Sequence, residues 1–233
     1  MKLEQRILYT AVGQFRQVTN SNGETYSVVL VNQQEYRMDL QEMTVWTILN
    51  WRLLDAQGVE KYYEPMCRDL RLTEYRTLEN CLGRLVTRGL VAVGYGDTDR
   101  EALYDLLSGL YVVPISESLS LRALTFLKMI LLDGVPFRKA WGLFRRVQLE
   151  ESELKVMSLA KQALLSTAEL IKCVDLGVTD ISTDEKLMDV LYCDTETTSD
   201  NIGETMRVSQ NREAVTLAVA NLFQNKQIIL DRL

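Results

Sequence analysis

Between Lys61 and Leu90 the chain carries six basic residues, Lys61, Arg68, Arg71, Arg76, Arg84 and Arg88, with Thr73, Tyr75, Thr77 and Asn80 set among them. These side chains can do one kind of chemistry together. A guanidinium donates two parallel hydrogen bonds to a guanine edge or a phosphate, an asparagine amide matches an adenine edge, and a threonine hydroxyl suits either a base or a phosphate. The chain has no histidine at all. That removes the commonest general base, the commonest metal ligand and every histidine-containing nucleophile pair. No glycine-rich phosphate loop or nucleophile elbow accompanies the carboxylates, so an enzyme is not expected, nor is a cofactor.

The arginines need an element that aligns them. Leu78, Cys81, Leu82, Leu85 and Val86 recur at i, i+3, i+4, i+7 and i+8, one apolar face of a helix. Thr73 is a capping residue type, and Arg88-Gly89 supplies a stop, so the spacing predicts a helix over 73–88. Glu74, Arg76, Thr77, Asn80, Gly83, Arg84 and Thr87 then point away from the apolar face. Tyr75, Arg76, Thr77 and Asn80 lie toward the N-terminal half, where base contacts are made, and Arg68, Arg71 and Arg84 lie nearer phosphates. A solvated helix face is the competing explanation.

Around this helix the pattern predicts strands at Ile7–Thr10 and Tyr26–Val31, joined through Asn20-Ser21-Asn22-Gly23 as a hairpin turn. A helix from Asp39 or Leu40 to about Leu54, a second from Glu60 to Leu70 and a strand at Leu90–Val93 complete the order. The succession of helix, turn, second helix and strand over about residues 40–115 resembles the winged helix-turn-helix class, whose second helix enters the DNA major groove. The resemblance implies that Arg71, Thr73, Tyr75, Arg76, Thr77, Asn80 and Arg84 contact double-stranded DNA. It also makes Tyr95, Thr98 and Arg100 candidates for a wing tip. A short helix at Glu101–Leu107 and a returning strand at Leu110–Ile115 suggest a wing enlarged by a helical insertion, or a connection with no wing.

The second half is expected to be helical, with segments at Ser120–Leu132, Phe137–Val147, Glu151–Ser166, Thr167–Leu176 and Asn211–Phe223, and a strand at Gln227–Leu230. An offset of 137 residues pairs Leu78, Cys81, Leu82, Leu85, Val86 and Val91 with Val215, Ala218, Val219, Leu222, Phe223 and Ile228. In the same alignment Arg76 falls on Glu213 and Arg84 on Asn221. Such a repeat would keep the packing and lose the charge. Arg138, Lys139, Arg145 and Arg146 interleave with Phe137, Trp141 and Phe144, and the shared aromatic face favours a core or interface helix over a base-stacking platform. Asp194, Glu196, Asp200 and Glu204 have the composition of an exposed loop and lack the alternation of a calcium site.

Across its 233 residues the net charge is −6. The 61–90 window is +2, against −2 for 1–60 and −6 for 91–233, an acidic body with a mildly basic head. The four cysteines show neither metal-ligand nor disulfide spacing, no leader or membrane span is expected, and the cytoplasm is the natural compartment. The expected fold is mainly α with small β elements. Residues 1–118 form a winged-helix DNA-binding domain with an N-terminal β-hairpin, and 119–233 form a helical domain for dimerisation or partner binding, or a degenerate second winged-helix copy. The expected function is sequence-specific DNA binding by a homodimeric transcriptional regulator. Its alternatives are a plasmid-type replication initiator, which the chain resembles in size and tandem modules, and a winged-helix adaptor that binds protein and not DNA. No residue advertises a small-molecule effector.

Overall fold

Tyr9 exchanges two backbone hydrogen bonds with Leu54 through an isolated bridge and stands opposite Val93 in an antiparallel ladder on its other side. In the computed structural model, which describes residues 5–19, 23, 25–70, 76–115, 149–194 and 196–232, this is the centre of a small sheet. Strand β1 (Arg6–Ala11) pairs with β5 (Val91–Gly96). Between them lie a three-stranded antiparallel sheet, β2 (Gln14–Thr19), β3 (Thr25–Val31) and β4 (Gln34–Arg37), and three helices. The helices are α1 (Leu40–Leu49), α2 (Ala56–Asp69) and α3 (Leu78–Thr87). After β5 come α4 (Asp99–Leu107) and β6 (Tyr111–Pro114). The second half continues with α5 (Glu151–Ala160), β7 (Leu165–Ser166), α6 (Thr167–Asp175) and α7 (Asp184–Tyr192). It closes with α8 (Ile202–Thr205), a 3₁₀ turn at Met206–Val208, α9 (Arg212–Gln224) and β8 (Ile228–Asp231). The fold is thus mixed α and β, helix-rich with small antiparallel sheets.

The two halves repeat one arrangement. Val112 of β6 sits between Leu165 and Leu230, as Tyr9 sits between Leu54 and Val93. Asp39 and Glu150 open α1 and α5 with capping boxes closed by Glu42 and Glu153, each pair 111 residues apart. Asp55 and Ser166 cap α2 and α6 at the same offset. Helices α3 and α9 both end 137 residues apart, in turns with matching hydrogen bonds. Leu90 N donates to Leu85 O at 2.9 Å, and Gln227 N to Leu222 O at 2.8 Å. The left-handed residue of the turn is Gly89 (φ +74°) in the first unit and Lys226 (φ +58°) in the second. A buried cluster runs through both units, from Val12, Trp46 and Leu85 to Leu165, Leu222 and Leu230.

Several sequence expectations are corrected. Strand β1 does not form a hairpin with Tyr26–Val31. Gly13, at φ +88°, ends it, and the extra strand β2 takes that partner. Helix α1 stops at Leu49 because Trp51 turns left-handed (φ +57°) and Leu54 is drawn into the bridge with Tyr9. The single helix expected over 151–166 is broken, because Leu165 and Ser166 pair with β6. Strand β6 does not return to β5 as a wing. It pairs with β7 and β8, and α4 covers the face of β5 instead. Gly94 and Gly96 permit that approach: a Cβ on Gly94 would lie 2.3 Å from Leu106 N, and one on Gly96 2.3 Å from Ala102 N. Helix α7 was not anticipated. The helices expected at 120–132 and 137–147, the basic-aromatic cluster with them, and the domain boundary near 118 lie outside the described residues.

Candidate nucleic-acid interface

Helix α3 is capped by Thr77, whose hydroxyl accepts from Asn80 N, and its buried side is Cys81, Leu82 and Leu85. The helix therefore starts four residues later than Thr73. Arg71, Thr73 and Tyr75 lie outside the described residues. Arg76 precedes the first turn, and Thr77 is the cap, so neither projects from the helix body. Asn80, Gly83, Arg84 and Thr87 line the outward face, all exposed. Nothing lies within 4 Å of a Cβ built on Gly83.

Arg84 on this face and Arg76 and Arg88 beside it are held by acids of α1 and its cap. Glu42 is only 2% exposed and takes Arg84 Nε on Oε1 at 2.7 Å and Arg88 Nη1 on Oε2 at 2.8 Å. Arg76 Nη2 donates to Asp39 Oδ2 at 2.5 Å, and its other terminal nitrogen stands 4.0 Å from Glu42 Oε1, buried without a hydrogen-bond acceptor. Arg76 N donates to Gln41 Oε1 at 3.2 Å, and Arg88 Nη2 to the Arg37 carbonyl at 2.5 Å. Burial works against the Asp39 charge, but the Glu42 amide and Arg76 outweigh it and hold the carboxyl below its ordinary pKa. Arg76 is correspondingly raised, chiefly by its hydrogen bond to Asp39. Three guanidiniums against two carboxylates leave a surplus positive charge, and Arg84 keeps 52% of its side chain in solvent. Sequence reasoning missed the two acids. Their signal was present as Asp39-Leu-Gln-Glu42, a capping box whose second acid sits four residues before Trp46 on the buried side of α1.

The second unit keeps the frame and discards the cluster. Glu153 is buried like Glu42 and accepts from Glu150 N at 2.9 Å. The positions matching Arg76, Arg84 and Arg88 hold Glu213, Asn221 and Asn225. Arg100, expected at a wing tip, lies in the first turn of α4 and pairs with Glu213 at 2.7 Å, tying α4 to α9. Tyr95 is exposed on β5, and Thr98 caps α4. Arg68 is exposed near the end of α2. In the acidic loop, Asp194 binds Lys172 Nζ at 2.6 Å and Glu204 binds Arg207, while Glu196 and Asp200 face solvent. Among the described residues no group of three or more His, Cys, Asp or Glu is placed to hold a metal ion, and no helix is long and apolar enough to cross a membrane. No family model, curated protein or solved structure matches the chain.

Proposed function

We propose that the first unit is a winged-helix-type reading head that binds duplex DNA sequence-specifically through the outward face of α3, in a cytoplasmic transcriptional regulator acting as a dimer. The observation that carries this reading is the uncovered stripe Asn80–Gly83–Arg84–Thr87, whose Arg84 buried Glu42 holds in fixed orientation together with the adjacent Arg88. The order α1, bridge, α2, α3, β5 supports it. The strand paired with β5 is β1, supplied from the N-terminal side, so no wing following β5 belongs to the proposal. Asn80, in the first turn, reads a base, and Arg84 and Arg88 lie along phosphates.

The duplicated unit favours one second reading, a plasmid-type replication initiator with tandem modules in one chain. In that reading the second unit supports the first without reading bases, since its corresponding face carries Leu217, Asn221 and Gln224.

Selection from a pool of random duplexes, read by fluorescence anisotropy at two salt concentrations, tests the proposal. Enrichment of a palindrome supports the dimeric regulator, and enrichment of a non-palindromic or directly repeated site supports the initiator. No binding at low salt removes both, because phosphate contacts dominate affinity there.

A further inference from the structure

On the other flank of α3 from its arginines lies an open groove of about 640 Å³. Its floor is Leu78, Leu82 and Val86 of α3 and Val93 of β5, and its rim carries Glu60 of α2 and Glu79 of α3. Tyr9 and Tyr95 close one end. Tyr9 is paired with Val93 and Tyr95 stands two residues further along β5, so both rings share the sheet face that looks into the groove. The opposite face of β5 is filled by α4 at Gly94 and Gly96. The free edge of the strand is blunted as well, since Tyr95 N donates to Asp105 Oδ2 at 2.9 Å. An added β-strand therefore has no clean edge to join, and the groove itself is what remains open.

The groove's chemistry is the reverse of what DNA requires. Two carboxylates on the rim repel phosphate. Burial, then the neighbouring Tyr95 and Glu79, raises the Tyr9 phenol, which places these three groups in one electrostatic neighbourhood. Tyrosine faces attract a desolvated cation, and a carboxylate beside them neutralises it. The apolar floor at helical spacing suits an amphipathic helix laid along it.

We infer that this groove docks a basic amphipathic helix of a partner protein, with a lysine or arginine set between Tyr9, Tyr95 and Glu79 and apolar side chains on Leu78, Val86 and Val93. The inference does not rest on DNA binding: of the outward stripe only Gly83, which has no side chain, borders the groove, and Asn80, Arg84 and Thr87 take no part in it.

The test uses the full chain and a displayed library of random peptides on a helical scaffold. Enriched peptides carry Lys or Arg one helical turn from apolar residues, and their recovery falls at least tenfold on the E60Q/E79Q double variant. Both glutamates are exposed, so that variant folds. Tyr95→Ala, also exposed, lowers recovery on a different contact. Enrichment of acidic peptides, no enrichment, or recovery unchanged by either variant overturns the inference. Concentration-dependent self-association that blocks the groove and is lost in E60Q/E79Q also overturns it, by making a second copy the occupant.

Discussion

Gly89 and Lys226 occupy the same point of the same turn in two units, one at φ +74° and the other at φ +58°. Each follows a helix whose last turns are closed by matching hydrogen bonds, Gly89 N to Val86 O at 3.0 Å and Lys226 N to Phe223 O at 2.9 Å. Glycine adopts this conformation without cost, whereas a lysine there is strained by about 1 kcal/mol. The lysine is used: its Nζ lies 5.2 Å from the Trp51 ring centre, and Trp51 is itself left-handed.

Substituting Lys226→Gly therefore relieves backbone strain and removes a cation–π contact of about 0.5–1 kcal/mol, leaving stability within about 0.5 kcal/mol of the parent. Gly89→Ala has no such offset and lowers stability by about 1 kcal/mol. Urea unfolding of the two variants side by side checks the asymmetry.

Glu42 is the keystone of α3. Glu42→Gln leaves Arg84 and Arg88 without their carboxylate, and because both arginines keep partial access to water the loss is about 2 kcal/mol, below the range for fully buried pairs. Arg84→Ala removes only an exposed partner and costs less than about 1 kcal/mol. Equal destabilisation by the two, measured by denaturant midpoints, would contradict the assignment.

The same frame predicts how DNA binding divides. Asn80→Ala weakens preferred-site binding by about 1–3 kcal/mol and leaves the salt slope unchanged. Arg84→Ala weakens binding to all sequences and reduces that slope by about one. Titrations at several salt concentrations separate a base contact from a phosphate contact.

Asp39 gives the pH dependence of the α1–α3 joint. Its folded pKa lies below its ordinary value of 3.8, so the joint is fully stabilised above that value and loses the stabilisation as pH falls through the depressed one. The exposed Asp180, held down to about 2 first by Lys186 and then by Ser182, titrates in the same acid range, with the same sign. Asp39→Asn reduces the dependence of unfolding free energy on pH below about pH 4, leaving the Asp180 contribution, and does not change its slope near neutrality.

Close packing of α4 on β5 is a further test. Gly94→Ala places a methyl group against Leu106 N and Ala102 O, both backbone atoms that cannot step aside. Overpacking of this kind costs about 1–3 kcal/mol, read as a fall in thermal midpoint.

What the sequence determined by itself was local. The apolar period of α3, the stop at Gly89, the strand at Val91 and the 137-residue echo in α9 and β8 follow from spacing and turn chemistry, and each stands in the structure. The fates of the charged residues were decided by tertiary structure. Arg76, Arg84 and Arg88 look free in a helical projection, but they turn to carboxylates on α1 more than thirty residues away. Arg100 turns to Glu213, more than a hundred residues away. Periodicity records which face of an element is apolar. It carries no information on which other element meets that face's edges, and a long side chain follows its nearest opposite charge. For the same reason the partners of β1 and β6 could not be read in advance. A strand's alternation specifies its faces, while its hydrogen-bonding neighbours are chosen by how the helices pack.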